Sequence, residues 1–441
     1  MVEFEVYGET FHDYVADFIP FFIICMLVEL IINVFFKKKK NYFGLGDSLT
    51  SMGGGLSTIV LERIVPFAIM SAIEFYGVVY IYRNYRIVDV SEYSVLAWIF
   101  CFITVDFGYY WFHRLAHEVN AFWATHVTHH SSEKYNLTTA LRQNVLQIYI
   151  SWIFFLPIGL FTPPGMYVFH KQFNTINQFW IHTQLIDKLP WPIEFILNTP
   201  SHHRVHHGRN PKYLDKNYGG TLIIWDRIFK TFEPEEEKVY YGLVYPLNSN
   251  DPTWIQIHKW YEMYQHTKLY TNWIDKIKVF LCGPGWQKGT GRLGDLSTLP
   301  IPTDKDEQER IPKSLSTDLN VYLFIHYMFI SFFALIIRDS FENQVGATNV
   351  TLSFAFLYVS LTSFGAMFDG KWYAALLETI RLWVFIIYTL VSQASSHPII
   401  HIFRLFYFTS SVYIIFKKIY TSNIFKSYLK SSQKILNNKL D

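Results

Sequence analysis

An all-α, multi-pass membrane protein is the fold class this sequence predicts, and three observations predict it. Hydrophobic residues make up 51% of the 441-residue chain and charged residues only 17%, with 40 Phe and 30 Tyr, whereas soluble domains average roughly 25% charged. Several apolar runs approach the roughly 20 residues that a helix needs to cross a bilayer. Eleven of the 17 histidines fall between His113 and His207, in boxes with helical spacing. The expected architecture is a set of transmembrane helices carrying a cytosolic histidine-box helical cap for two metal ions. Length alone would suggest two or three soluble domains, which the composition overrides. The net charge of +2 is too small to imply a nucleic-acid partner. Cys25, Cys101 and Cys282 are the only cysteines, which argues against a disulfide framework and against thiolate ligation.

The first span is Phe18–Phe36. Glu29 and Asn33 interrupt it, so it is expected to face other helices rather than bare lipid. Lys37 to Lys40 follow, and the positive-inside rule places them in the cytosol, with the N-terminus lumenal. The first 17 residues carry acids and no basic region, so no cleavable signal peptide is expected. Residues Gly44 to Gly55 read as a glycine-rich connector; Gly53, Gly54 and Gly55 lack the Lys-Ser/Thr partner of a phosphate loop. Leu56 to Tyr82 reads as a second span, with Glu62, Arg63 and Glu74 as its polar interruptions. Tyr93 to Phe112 is a third and runs directly into the first box, returning it to the cytosolic side. Arg83 and Arg86 in the opposite loop are outweighed by the four lysines.

Val145 to Phe161 ends in Thr162-Pro163-Pro164-Gly165, a turn signal, and Met166 to Ile181 returns. The pair reads as a helical hairpin that leaves and re-enters on one side, bringing His182 beside the first two boxes. Residues 183–318 are polar and rich in prolines, and read as a cytosolic segment that supplies the third box and caps the site. Four more spans are expected: Leu319–Ile337, Leu352–Phe368, Trp372–Leu390 and Ile399–Phe416. They return the tail, with Lys417, Lys418, Lys426 and Lys430, to the cytosol. The sequon at Asn349 is then lumenal, and the one at Asn136 cytosolic and unusable. The domain expectation is 1–92 for the N-terminal transmembrane helices, 93–318 for the catalytic domain and 319–441 for the C-terminal transmembrane helices.

The boxes are His113-Arg-Leu-Ala-His117, His126-Val-Thr-His129-His130 and His203-Arg-Val-His206-His207. Residues three and four apart share a helix face, so each box converges its imidazoles. Eight boxed histidines with His182 make nine. That is too many for one zinc, which takes four ligands, and haem takes one or two axial ligands. Nine suits two metals of four or five ligands each with a position open. Nitrogen donors without cysteine fit iron, or else zinc or copper. The Glu-x-x-His pairs of soluble di-iron bundles are missing. His12, His170, His258, His266, His326, His397 and His401 read as core or interfacial residues. His202 lies beside the third box but off its register, a ligand or a partner of ligands.

The three boxes on a multi-spanning chain resemble the fatty acid hydroxylase superfamily of membrane di-iron oxygenases. Longer stretches resemble its branch that cleaves glyceryl ethers: Trp111-Phe-His-Arg-Leu-Ala-His-Glu118, His129-His-Ser-Ser-Glu133, Thr139-Ala-Leu-Arg-Gln143, Phe179-Trp-Ile-His-Thr183, the run from Asn198 to Asn210, and the run from Asp215 to Phe229. The likeness covers roughly residues 40 to 235. It implies that His113, His117, His126, His129, His130, His182, His203, His206 and His207 are the metal ligands, holding two Fe ions. Related members carry a further histidine four residues before the one matching His182; here that position is Gln178, whose carboxamide is expected to hold a water on one metal. The resemblance also implies hydroxylation of the ether-linked carbon of an alkylglycerol or lyso-alkyl phospholipid by O2, with electrons from tetrahydrobiopterin, in the endoplasmic reticulum membrane. The products are a fatty aldehyde and a glycerol derivative.

Asp106, Glu118, Glu133, Asp215 and Asp226 are candidates to orient ligating imidazoles. Glu118 points about 100° away from its neighbour His117 on a helix and could instead bind the amino-pyrimidine edge of the pterin. Arg142 and Arg204 are candidates for a polar headgroup, or for pairing with these acids. The third span and the 145–181 hairpin are expected to line an apolar tunnel for the alkyl chain. Two other readings compete: a sterol or sphingolipid hydroxylase or desaturase fed by cytochrome b5, and a non-enzymatic metal carrier, which should place its ligands at mid-membrane on broken helices.

Overall fold

The histidine boxes sit where membrane helices hand over to a polar helical layer. The computed structural model describes residues 3–6, 8–36, 43–61, 65–310, 315–342, 347–391 and 398–421. Lys37 to Lys40, Glu62, Arg63, His397, Lys426 and Lys430 lie outside the described residues, as does the side chain of Asn349. A two-stranded antiparallel hairpin, β1 (Glu3–Val6) and β2 (Glu9–His12), precedes the helices and was not expected from the sequence. Gly8 turns it at φ +75°, a conformation open to glycine. Val6 and Phe11 are buried in a core cluster, with Phe4 packed against it and its ring 5.6 Å from that of Phe75.

Long helices follow: α1 (Tyr14–Phe36), α2 (Leu45–Leu61), α3 (Val65–Tyr85), α4 (Val95–Glu118) and α5 (Asn120–His130). After broken turns come α6 (Pro164–Trp180), α7 (Pro200–His206), α8 (Pro252–Thr267) and α9 (Trp273–Leu281). The chain ends in α10 (Thr317–Glu342), α11 (Ala347–Phe368), α12 (Ala374–Val391) and α13 (Pro398–Thr421). Among the described residues, five helices are long and apolar enough to cross a membrane: Tyr14–Phe36, Val95–Glu118, Thr351–Phe368, Ala374–Val391 and Pro398–Lys418. The chain is a multi-pass membrane protein. Glu29 and Asn33 are buried, as their place in an apolar run required, while Phe21, Ile24 and Phe35 of the same helix face outward.

Two expectations are corrected. The glycine-rich stretch is not a connector but lies largely in helix α2; Leu56 to Tyr82 falls on α2 and α3, with residues 62–64 between them outside the described residues. The glycines serve packing: a Cβ on Gly54 would lie 3.2 Å from the Gln143 backbone nitrogen, and one on Gly53 3.2 Å from Leu361. The serines that break the hydropathy are satisfied within the helix, Ser57 Oγ donating to the Gly53 carbonyl at 2.8 Å. The first limb of the expected hairpin is also not one helix. Pro157 and Gly159 fall in short turns from Ile148 to Leu160, and Gly159 passes so close to α3 that a Cβ would meet the Val78 carbonyl at 2.7 Å.

Candidate metal centre

Each box is placed by a short piece of local structure. Box one ends α4, where His113 and His117 are one turn apart and both buried. Val119 leaves the helical region (φ −125°, ψ 117°), closing α4 and opening α5, so box two returns toward box one. Pro200 in the first turn of α7 starts a helix just long enough to carry box three. His182 follows α6 in a turn closed by its N–H on the Phe179 carbonyl at 3.2 Å.

The nine imidazoles form two groups, each with ligand atoms within 4.8 Å of one another: His113, His117, His126, His130 and His206; and His129, His182, His203 and His207. Helical geometry explains the partition. At 100° per residue, positions i and i+4 diverge by 40° and position i+3 swings to the other side. The i, i+4 pair of box two, His126 and His130, joins the first group while His129 crosses to the second. In box three the pair His203 and His207 joins the second group while His206 crosses to the first. The two helices thus bridge both positions reciprocally.

The separations are those of ligands rather than of packed rings. His113 Nε2 lies 3.1 Å from His126 Nε2, His182 Nε2 3.1 Å from His129 Nε2 and His203 Nε2 3.0 Å from His182 Nε2. Two nitrogens at right angles around an ion about 2.1 Å away are about 3.0 Å apart. Nε2 of His117, His206 and His207 is buried with no hydrogen-bond partner, a cost of about 1–3 kcal/mol each that a cation would remove. Burial pushes His126 and His182 down to about 4. Burial and then the neighbouring imidazoles push His129, His130, His203, His206 and His207 down. Neutral imidazole is the ligating form, so the residues fit a two-ion site.

The fatty acid hydroxylase family model matches residues 98–231, which contain all nine histidines. The chain is 45% identical to human alkylglycerol monooxygenase over 86% of its length and 83% of that protein's. It is 44% identical to the alkylglycerol monooxygenase of Xenopus tropicalis over 86% and 82%, and 39% identical to that of Danio rerio over 83% and 80%. This chain belongs to the alkylglycerol monooxygenase family. No solved structure matches it. The fatty acid hydroxylase domain and the two imidazole groups together fit a di-iron site in this family member.

Backbone carbonyls, more than acids, orient the rings. His113 Nδ1 is 2.8 Å from the Tyr218 carbonyl, His206 Nδ1 2.9 Å from that of Lys216, and His182 Nδ1 2.6 Å from that of Gln178. Donation from Nδ1 leaves the Nε2 lone pair for an ion. His126 Nδ1 lies 3.2 Å from Gln147 Oε1. The carbonyls of Lys216 and Tyr218 flank Asn217, held at φ +56° by donating to the His202 and Glu233 carbonyls at 3.1 and 2.7 Å. Asp226 fixes the same loop by accepting the N–H groups of Tyr218 and Gly219 at 2.8 and 2.7 Å.

Of the five candidate acids, Asp215 is the one beside a ligand, 3.7 Å from His117 Nδ1; burial, then the Glu118 charge, push its carboxyl up to about 7. Asp106 instead accepts the N–H groups of Thr221 and Leu222 and the Trp225 indole, and Glu133 faces Arg310 at 3.5 Å. Glu118 accepts from Arg114 Nε at 2.8 Å and also pairs with Arg292. The Gln178 carboxamide is taken up by Tyr109, whose hydroxyl donates at 2.6 Å, and by Asn174, so this residue meets the site through its carbonyl. His202 stands in neither group; its Nε2 is 2.9 Å from Glu194. Arg142 pairs with Asp47 at 3.3 Å and Arg204 with Glu235 at 2.7 Å, neither of them among the acids considered. An apolar cavity of about 590 Å³ lies between Phe107 and Trp111 of α4 and the limb at Ile153 to Thr162, on the face of α4 opposite His113.

Sequence reasoning missed Tyr218, Gln147 and Asp47. The first lay inside a recognised stretch without an assigned role. Asp47 lay in the supposed connector, yet it receives Ser132 Oγ at 2.5 Å and the Glu133 N–H at 3.1 Å, clamping the turn after box two.

Proposed function

We propose that this chain is a tetrahydrobiopterin-dependent glyceryl-ether monooxygenase of the endoplasmic reticulum membrane, its site facing the cytosol, that hydroxylates the ether-linked carbon of alkylglycerols. The observation that carries the reading is the reciprocal division of nine buried imidazoles into groups of five and four, in a chain similar over most of its length to alkylglycerol monooxygenases. Residues 93–318 form the catalytic domain between the N-terminal and C-terminal membrane helices. Two irons bound by the nine histidines would supply activation of O2.

The rest falls to the protein. The Tyr218, Lys216 and Gln178 carbonyls hold three rings in the tautomer that binds. Burial keeps bulk water from the nine imidazoles; the hydroxylated ether carbon is a hemiacetal, which collapses by breaking its bond to the glycerol oxygen, the hydroxyl proton passing to that oxygen, to give the aldehyde and the glycerol derivative. One oxygen atom enters the substrate and the other leaves as water, with two electrons from the pterin. Glu118, next in sequence to His117 and held between Arg114 and Arg292, is our candidate for the pterin's amino-pyrimidine edge.

The test is metal analysis joined to an alkylglycerol assay. The reading expects about two irons per chain and aldehyde release only with O2 and reduced pterin together. One iron or fewer at full activity removes the two-ion centre, and turnover on cytochrome b5 without pterin removes the cofactor assignment.

A further inference from the structure

Helices α8 and α9 lie in the polar segment, yet each carries large apolar residues on its outer face as well as on its packed one. On α8, Trp254, Ile257, Tyr261 and Tyr264 are exposed while Gln256 and His258 are buried. On α9, Trp273, Ile274, Ile277 and Leu281 are exposed while Asp275 is buried and salt-bridged to Lys288 at 2.8 Å. The spacings i, i+3, i+7, i+10 and i, i+1, i+4, i+8 put each set on a single helix face. The pair is rigid from behind, because Met263, Val279 and Trp286 pack together with Ala124 of α5. An apolar stripe facing outward from a well-packed pair is expected to meet an apolar partner.

We propose that the α8–α9 pair is an interfacial anchor, seated in the headgroup–acyl boundary of the bilayer that α11 spans. Three observations select a lipid surface. First, α8 begins at the membrane edge: the Asn250 N–H donates to Asp369 at 2.8 Å, just beyond the span Thr351–Phe368. There the Asn250 carbonyl lies so near α11 that a Cβ on Gly365 would approach it to 2.3 Å. Second, the stripe mixes Trp and Tyr with Ile and Leu, the composition of membrane interfaces. Third, the exposed charges beside it are mainly Lys268, Lys276 and Lys278, which complement anionic headgroups, while the exposed acid Glu262 is paired with Lys259 at 3.1 Å.

The anchor is tied to the metal-centre helix. Thr128 Oγ1 donates to the Ile255 carbonyl at 3.0 Å and Asn120 Nδ2 to the Val279 carbonyl at 2.8 Å. The depth at which α8 and α9 sit therefore sets the depth of α5, which carries His126, His129 and His130.

The experiment places an environment-sensitive fluorophore at Ile257→Cys or Ile277→Cys of the full chain in nanodiscs of phosphatidylcholine and phosphatidylserine. Tyr264→Cys and Leu281→Cys serve as second positions and Lys305→Cys as an exposed reference; the parent chain supplies the blank for native thiols, and unchanged metal content certifies the fold. Emission at the four anchor positions should shift to the blue and be quenched several-fold more by nitroxide on shallow acyl carbons than by aqueous iodide, with the reverse at position 305. Iodide quenching at the anchor positions equal to that at 305 would overturn the proposal. Cross-linking between copies through Ile257→Cys in place of lipid quenching would overturn it too, assigning the stripe to a second chain.

Discussion

The Glu29 carboxylate accepts the Leu137 backbone N–H at 2.7 Å, joining an acid inside the first membrane helix to the loop behind box two. Its other oxygen accepts Thr183 Oγ1 at 2.5 Å, next to His182. One side chain thus ties α1 to segments that present ligands to the four-histidine group. Replacing Glu29 by Leu strands two buried donors, each costing about 1–3 kcal/mol. We expect Glu29→Leu to lower the thermal unfolding midpoint and to weaken metal retention, and Glu29→Gln, which keeps one acceptor, to do so less. A Leu variant as stable as the parent would refute the role.

The two imidazole groups can be separated by their metal content. His126→Ala removes a ligand of the five-histidine group, and His203→Ala one of the four-histidine group; each should reduce bound iron from about two per chain to about one. His170→Ala is the control, since His170 is buried outside both groups and should retain both ions. Elemental analysis of the three variants decides the matter.

Asp226 acts on the site through the backbone. Asp226→Asn replaces one acceptor oxygen of the pair that holds Tyr218 and Gly219, and so loosens the carbonyl that orients His113. Partners of this kind typically account for 10–100-fold in metal affinity. Chelator competition should show a loss of about that size from one ion, while the second ion is held as in the parent.

Far from the site, Glu378 and Arg381 form a fully buried ion pair at 2.5 Å; Tyr322 and Ser363 donate to the carboxylate and His326 Nδ1 lies 3.1 Å from Arg381 Nη2, while Arg381 Nη1 is buried without a hydrogen-bond partner. Arg381→Met alone leaves an uncompensated carboxylate and should cost about 3–5 kcal/mol. The double variant Glu378→Leu with Arg381→Met should recover most of that loss. Thermal or denaturant unfolding of the detergent-solubilised chain checks both, and a double variant no better than the single one would disprove the pairing argument.

The membrane class, the three boxes, the sum of nine imidazoles and the inward face of α1 are legible in the residues alone, because each depends on composition or on the local period of a helix. That His129 and His206 cross between groups, that carbonyls of the Lys216–Tyr218 loop orient the rings, and that the glycine-rich stretch is the helix whose Asp47 clamps the turn after box two emerge with the folded chain. Those outcomes depend on which distant surfaces meet. A glycine reads locally as a chain break, and a stripe of Trp and Ile inside a polar segment does not tell which surface it faces. Both take their meaning from what packs against them, and a period of 3.6 residues carries no record of that.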